Sequence, residues 1–217
     1  MEFHKFHKIV LASASPRRLE LLRQIGIEPE VIVSHVEEVV TSSVPGEVVM
    51  ELSRQKAEDV AKNQEAGTLV IGSDTVVAVD GKILGKPRDH KEAESMIRSI
   101  EGRSHHVYTG VCMVLKGAEG EADTIRNFFD QTDVEVYPMT EEEILGYAGS
   151  DQPTDAEQGN ICSTWIDPVT GKPEWKDKAG AYAIQGYFGR YIKGMNGSYA
   201  NVMGLPISMV YQEMKKL

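Results

Sequence analysis

Apolar and polar positions along this chain change period several times, and each change marks an element. Lys8–Ala14 (KIVLASA) is a short apolar run and predicts a strand. Behind it Leu19, Leu22 and Ile25 recur at helical spacing. Pro16 suits the first position of that helix because its missing N–H needs no partner there; Ser15 is the expected cap and Gly26 the stop. Val31–Val36 (VIVSHV) reads as a second strand, and Pro45 opens a helix reaching Asn63 with Val49, Leu52 and Val60 on one face. Thr68–Val79 is a long apolar strand, and Asp80-Gly81 is a hairpin turn into KILGKP. Asp89 with Glu92 is a capping-box pattern opening a helix whose apolar face is Ala93, Met96, Ile97 and Ile100. Gly102 ends it. Two strands, His105–Lys116 and Asp123–Tyr137, flank a glycine-bearing turn. Thr140 with Glu143 opens another helix, and the tail from Leu205 is a final short one.

Such alternation predicts an α/β fold, with a mixed twisted sheet, flanking helices and two lobes around a central cleft, as a single domain over 1–217. The stretch 150–177 is polar, holds prolines and has no clear period. It reads as a loop insertion within that domain, and loops of this length are uncommon unless they have a function.

Composition narrows the classes of function. Net charge is -10, which argues against a nucleic-acid binder. No apolar run approaches the roughly 18 residues of a membrane span, and MEFHKFHK lacks a signal-peptide core. Two cysteines, Cys112 and Cys162, make no disulfide framework. The expectation is a reduced, cytoplasmic protein without membrane contact.

Against an acidic background, cations gathered at motifs become informative. Arg17 and Arg18 sit in a helix's first turn, where the macrodipole disfavours positive charge unless an anion binds there. Asp74 interrupts the apolar run Leu69–Val79, so its carboxylate must pair with a cation, bind a metal or shift its pKa. Gly72-Ser73 before it suggests a local break in the strand that admits a ligand. Lys56 lies on the apolar stripe of its helix, where it either snorkels to solvent or points its ammonium into a cleft. Lys86 is held between Gly85 and Pro87, and Glu37-Glu38 follow a strand. Carboxylates of this kind suit a hard divalent cation, Mg²⁺ or Mn²⁺, and the four cations suit a polyphosphate. The chemistry that follows is metal-assisted phosphoryl or nucleotidyl transfer to water. No Walker A sequence, strand-borne GxGxxG, zinc-ligand spacing or nucleophile elbow competes with it.

Together these motifs resemble the Maf-type (septum-formation-inhibitor) nucleotide pyrophosphatases, relatives of the inosine-triphosphate pyrophosphatase group. The likeness runs through LASASPRR, Glu37-Glu38, Lys56-Ala57, GSDTVV, GKP, HHVYTGV, KAGAYAIQG and NGSYANVMGLP. It implies hydrolysis of nucleoside triphosphates between the α- and β-phosphates, giving a monophosphate and pyrophosphate. By resemblance Asp74 is the proton acceptor and serves the metal with Glu38 and Glu37. Ser13, Arg17, Arg18, Lys56 and Lys86 hold substrate. Arg17, Thr75 and Gln185 match the branch that prefers dTTP and UTP. A homodimer is implied as well. The acidic Glu-Pro-x-Asp element that family members carry before Lys-Ala-Gly reads Gln152-Pro153 here, separated from Lys178. Asp155, Glu157 and Asp177 are its candidate substitutes, and the insertion is a candidate lid. The alternatives are a nucleotide-binding regulator of septum formation and a purine-directed pyrophosphatase.

Overall fold

A computed structural model describes residues 5–149, 165–167 and 171–217. Gln152, Asp155, Glu157, Cys162 and most of the 150–177 stretch lie outside the described residues, as does the proposed lid.

Strands β1 (Lys8–Leu11), β2 (Glu30–Val31), β3 (Thr68–Val79), β4 (Lys82–Leu84), β5 (Ser104–Leu115), β6 (Thr124–Val136) and β7 (Ile192–Asn196) form one mixed sheet among the described residues. Its order is β2-β1-β3-β5-β6-β7, with β4 on β3. β1 pairs in parallel with both β2 and β3, while β4 on β3 and β7 on β6 are antiparallel. The α/β expectation holds. Helices are α1 (Pro16–Gln24), α2 (Pro45–Ala61), α3 (His90–Ile100), α4 (Glu141–Ala148), α5 (Tyr199–Val202) and α6 (Ile207–Met214). None is long and apolar enough to cross a membrane.

The chain divides into two compact units, Met1–Thr75 with Tyr108–Gln131 and Ser198–Leu217, and Val76–Val107 with Thr132–Gly197. The core of the first gathers Val10, Ala57, Val60, Val70, Cys112 and Val114. Here α2 lies backbone to backbone on the sheet. A Cβ on Gly72 would sit 2.4 Å from the Ser53 carbonyl oxygen, and one on Gly110 would sit 2.2 Å from that of Val49. So Gly72 does not break the strand: β3 runs through it, and its missing side chain admits a helix rather than a ligand. Gly72→Ala should therefore destabilise by about 2–3 kcal/mol, because rigid backbone, not a flexible side chain, must yield. A lower urea midpoint at an unchanged slope checks this.

In the second unit α3 buries Ala93, Met96, Ile97 and Ile100, as its period predicts, and packs on α4. Asp89 caps α3 by accepting from the Glu92 N–H at 2.9 Å. The Glu92 carboxylate turns instead to the backbone and guanidinium of Arg88, so only half of the box forms. On α4 both halves form, between Thr140 and Glu143.

The second unit also buries His105 completely, with Nε2 2.7 Å from the Tyr182 hydroxyl and Nδ1 lacking a hydrogen bond. Burial, then the neighbouring charge of His106, holds its pKa down to about 4. In the unfolded chain the ring titrates near 6.5, so between these values only the unfolded state binds the proton. His105 thus contributes full stability above about pH 6.5, and that contribution, about 3 kcal/mol, is lost as pH falls to about 4. Denaturant titrations at pH 7 and pH 4.5 should show the drop in the native chain, and His105→Gln should flatten it.

Candidate active site

The first unit holds the polar residues that its apolar pattern cannot account for. α1 starts after extended Ser15, with Pro16 in its first turn, but the Ser15 side chain caps nothing. Its N–H donates instead to Ser13 Oγ at 3.2 Å. Leu21 and Leu22 anchor the helix, and its first turn carries no acidic residue. Arg17 and Arg18 are half-buried there.

Arg18 spreads its guanidinium over three neutral acceptors. Nε donates to the Gly204 carbonyl at 2.8 Å, Nη1 to Ser13 Oγ at 3.0 Å and Nη2 to Thr75 Oγ1 at 3.1 Å. Two of its five N–H groups remain. Among the described residues no carboxylate forms an ion pair with it. Burial and the Arg17 charge lower its pKa, while Asp74 and Glu38 act on it at longer range in the opposite sense. A half-buried guanidinium held by neutral groups is a site with a positive charge to spare.

Gly204 accepts a second bond from the buried Ser73 hydroxyl at 3.0 Å. Thr75 Oγ1 also lies 3.0 Å from Thr109 Oγ1, and Thr109 donates to the Asn201 carbonyl at 2.8 Å. Ser198 caps α5 by accepting from the Asn201 N–H. The segment 198–204 is thereby tied to α1, β3 and β5.

Beside this network Lys56 does not snorkel. Its Nζ lies 2.5 Å from Asp74 Oδ1 and 2.9 Å from Glu38 Oε1. The side chains of Lys56 and Asp74 are only 17% and 16% exposed, so the pair is sheltered from water. Asp74 takes the first of its three expected options, a cation partner. Its Oδ2 has no hydrogen bond among the described residues. Asp74 and Thr75 are consecutive on β3, and the charges of Asp74 and Glu38 reach the Arg18 guanidinium.

Thus the structure brings together Ser13, Arg18 and Thr75 in one cluster and Glu38, Lys56 and Asp74 in another. Glu37 is exposed, with no hydrogen bond or ion pair among the described residues. Lys86 and Gln185 are exposed and belong to the second unit. There the Gly180 N–H donates to the Gly85 carbonyl at 3.0 Å, which ties the Lys86 loop to the 3₁₀ turn Ala179–Ala181.

Residues 8–217 match the family described as Maf-like protein. The chain belongs to that family. Among relatives of this Maf-like chain are the dTTP/UTP pyrophosphatases of Lachnoclostridium phytofermentans, 43% identical over 97% of this chain and 95% of the relative, and of Agathobacter rectalis, 44% identical over 97% of each. That of Carboxydothermus hydrogenoformans is 42% identical over 96% of this chain and 98% of its own. Among solved structures, the Staphylococcus aureus Ham1 protein aligns over 96% of this chain and 98% of its own, at 14% identity and a TM-score of 0.48.

The fold adds Thr109 and Glu174 to these residues. Thr109 lies in the HHVYTGV motif, inside an apolar strand where its type alone assigns it no role. Glu174 is buried and takes the Tyr187 N–H at 2.6 Å, the Phe188 N–H at 2.9 Å and the Tyr147 hydroxyl at 3.2 Å. Glu174-x-x-Asp177 stands immediately before Lys178-Ala179-Gly180, at the spacing of the family's acidic element, so Glu174 rather than Gln152 occupies the place of its glutamate, and that spacing is legible in the sequence. With both oxygens bonded, Glu174 fastens the backbone at 187–188.

Proposed function

We infer that this chain hydrolyses nucleoside triphosphates, dTTP and UTP foremost, at the α–β phosphate bond to a nucleoside monophosphate and pyrophosphate. The observation that carries this is the Lys56–Asp74–Glu38 cluster in the same unit as an Arg18 guanidinium without an anionic partner. Full-length likeness to relatives named dTTP/UTP pyrophosphatase supplies the bases.

Proton bookkeeping assigns the parts. Ser13 Oγ already accepts from the Ser15 N–H and from Arg18, so its own proton is the group left to offer, and it donates to a phosphate oxygen. Arg18 adds its two remaining N–H groups. Lys56 holds Asp74 turned through Oδ1, which leaves Oδ2 to accept a proton from water. That water's oxygen bonds to one phosphorus of the α–β bridge as that phosphorus's own bond to the bridging oxygen breaks, which separates the monophosphate from pyrophosphate. Arg17, Lys86 and Gln185 complete the substrate contacts on family likeness alone.

The oxygens of Glu38 and Asp74 converge on one ammonium, a donor set that also fits a hard divalent cation taking the rest of its shell from water and phosphate. Mg²⁺ or Mn²⁺ held by Glu38 and Asp74, with Glu37 adjacent, would neutralise phosphate charge and acidify water. A cytoplasmic homodimer belongs to the same proposal.

The test is turnover of the eight common ribo- and deoxynucleoside triphosphates by the purified chain with Mg²⁺ or Mn²⁺. Highest kcat/KM on dTTP and UTP supports the reading. Equal rates on all eight, or a purine preference, contradict it.

A further inference from the structure

The Arg18–Thr75–Thr109–Asn201 chain of hydrogen bonds has only one consistent direction. The Asn201 carbonyl can only accept, so Thr109 spends its single hydroxyl proton there. The 3.0 Å contact between the two threonines then requires Thr75 to donate to Thr109. The Thr75 oxygen accepts from Arg18 Nη2, which has no lone pair to offer. One lone pair on Thr75 is left. Ser13 is in the opposite state, with its lone pairs used and its proton to give. The guanidinium donates to both hydroxyls alike, and their other partners, the Ser15 N–H and Thr109, leave Ser13 a proton and Thr75 a lone pair.

We propose that Thr109 is a positioning residue that fixes the Thr75 hydroxyl as a pure hydrogen-bond acceptor toward substrate. Thr109 is fully buried between Thr75 and the Asn201 backbone, so it acts through Thr75 and never touches substrate. An acceptor selects a donor. Resting on the pyrimidine reading above, that donor is the N3–H of uracil and thymine, which cytosine lacks at the same position. A ribose hydroxyl has the same donor chemistry and is the competing source.

The experiment compares Thr109→Val and Thr109→Ser with the native chain on UTP, CTP, N3-methyl-UTP and 3′-deoxy-UTP. Circular dichroism and melting accompany the kinetics. In the native chain N3-methyl-UTP should lose about 100-fold or more in kcat/KM, because a buried polar group is left unpaired, while 3′-deoxy-UTP keeps its rate. Thr109→Val frees the Thr75 proton to rotate. The preference for UTP over CTP should then fall about tenfold, chiefly through KM, with kcat changed far less. Thr109→Ser keeps the hydroxyl and should restore the preference. A purely structural role would lower melting and both rates together without moving the UTP-to-CTP ratio, and that result overturns the proposal. Loss with 3′-deoxy-UTP but not with N3-methyl-UTP overturns the assignment to the base. The two analogues need no variant, so a Thr109→Val chain that does not fold leaves a decisive comparison. A native chain inactive on every triphosphate counts against the hydrolase reading instead. Calorimetric binding of UTP against N3-methyl-UTP then decides this proposal separately.

Discussion

Asp74→Asn lowers kcat about 10²- to 10⁴-fold in this account, with KM for the triphosphate moving much less. Asparagine fills the same volume, but its amide accepts no proton from water at neutral pH. It also ends the charge pairing with Lys56, whose Nζ then rests on Glu38 alone. Binding survives because Ser13 and Arg18 contact Asp74 through none of their hydrogen bonds. Steady-state kinetics checks the split, and a melting curve close to that of the native chain shows that folding is intact. A kcat within tenfold of the native value would remove Asp74 from the proton's path.

Arg18→Lys keeps the charge and still lowers kcat/KM about 10³-fold, because two charge-assisted bonds at about 2 kcal/mol each are lost. Three different nitrogens of Arg18 reach Gly204, Ser13 and Thr75. An ammonium is a single point with three donors and cannot serve acceptors arranged around a planar fork. Ser13 and Thr75 then lose a donor that each oxygen accepts from. Kinetics on UTP measures the loss. A lysine variant of near-native kcat/KM would show that Arg18 acts by charge alone.

Much of the fold is legible in the pattern of side chains. The bounds of β3, Thr68–Val79, coincide with the apolar run, because a strand buried on both faces has no polar period to confuse it. α3 is equally plain, since one face of four apolar residues is fully buried. Where local pattern misleads, a distant partner is the cause. Val31–Val36 alternates like a strand, yet the sheet keeps only Glu30–Val31 of that region. Ser34 Oγ and the His35 N–H go to the Asp59 carboxylate on α2 instead. β7 and α5 have no sustained period and escape notice.

The candidate site divides along the same line. Asp74 stands out because a carboxylate in an apolar run demands a reason, and its partner Lys56 is that reason. Arg18 stands out by charge at a helix start. Its three acceptors lie at Ser13, Thr75 and Gly204, and no local rule links positions so far apart. Ser15 shows the converse: a good capping residue by type, its side chain caps nothing, and its N–H donates to Ser13. The pairings that give hydroxyls their direction exist only once the chain has folded.

Cleavage between the α- and β-phosphates is tested most directly by the identity of the products. Purified chain is incubated with UTP and Mg²⁺ or Mn²⁺, with Asp74→Asn alongside, and the nucleotides and phosphates are resolved by ion-exchange chromatography. Equal amounts of UMP and pyrophosphate, absent with the variant, are the predicted result. UDP and inorganic phosphate would contradict it.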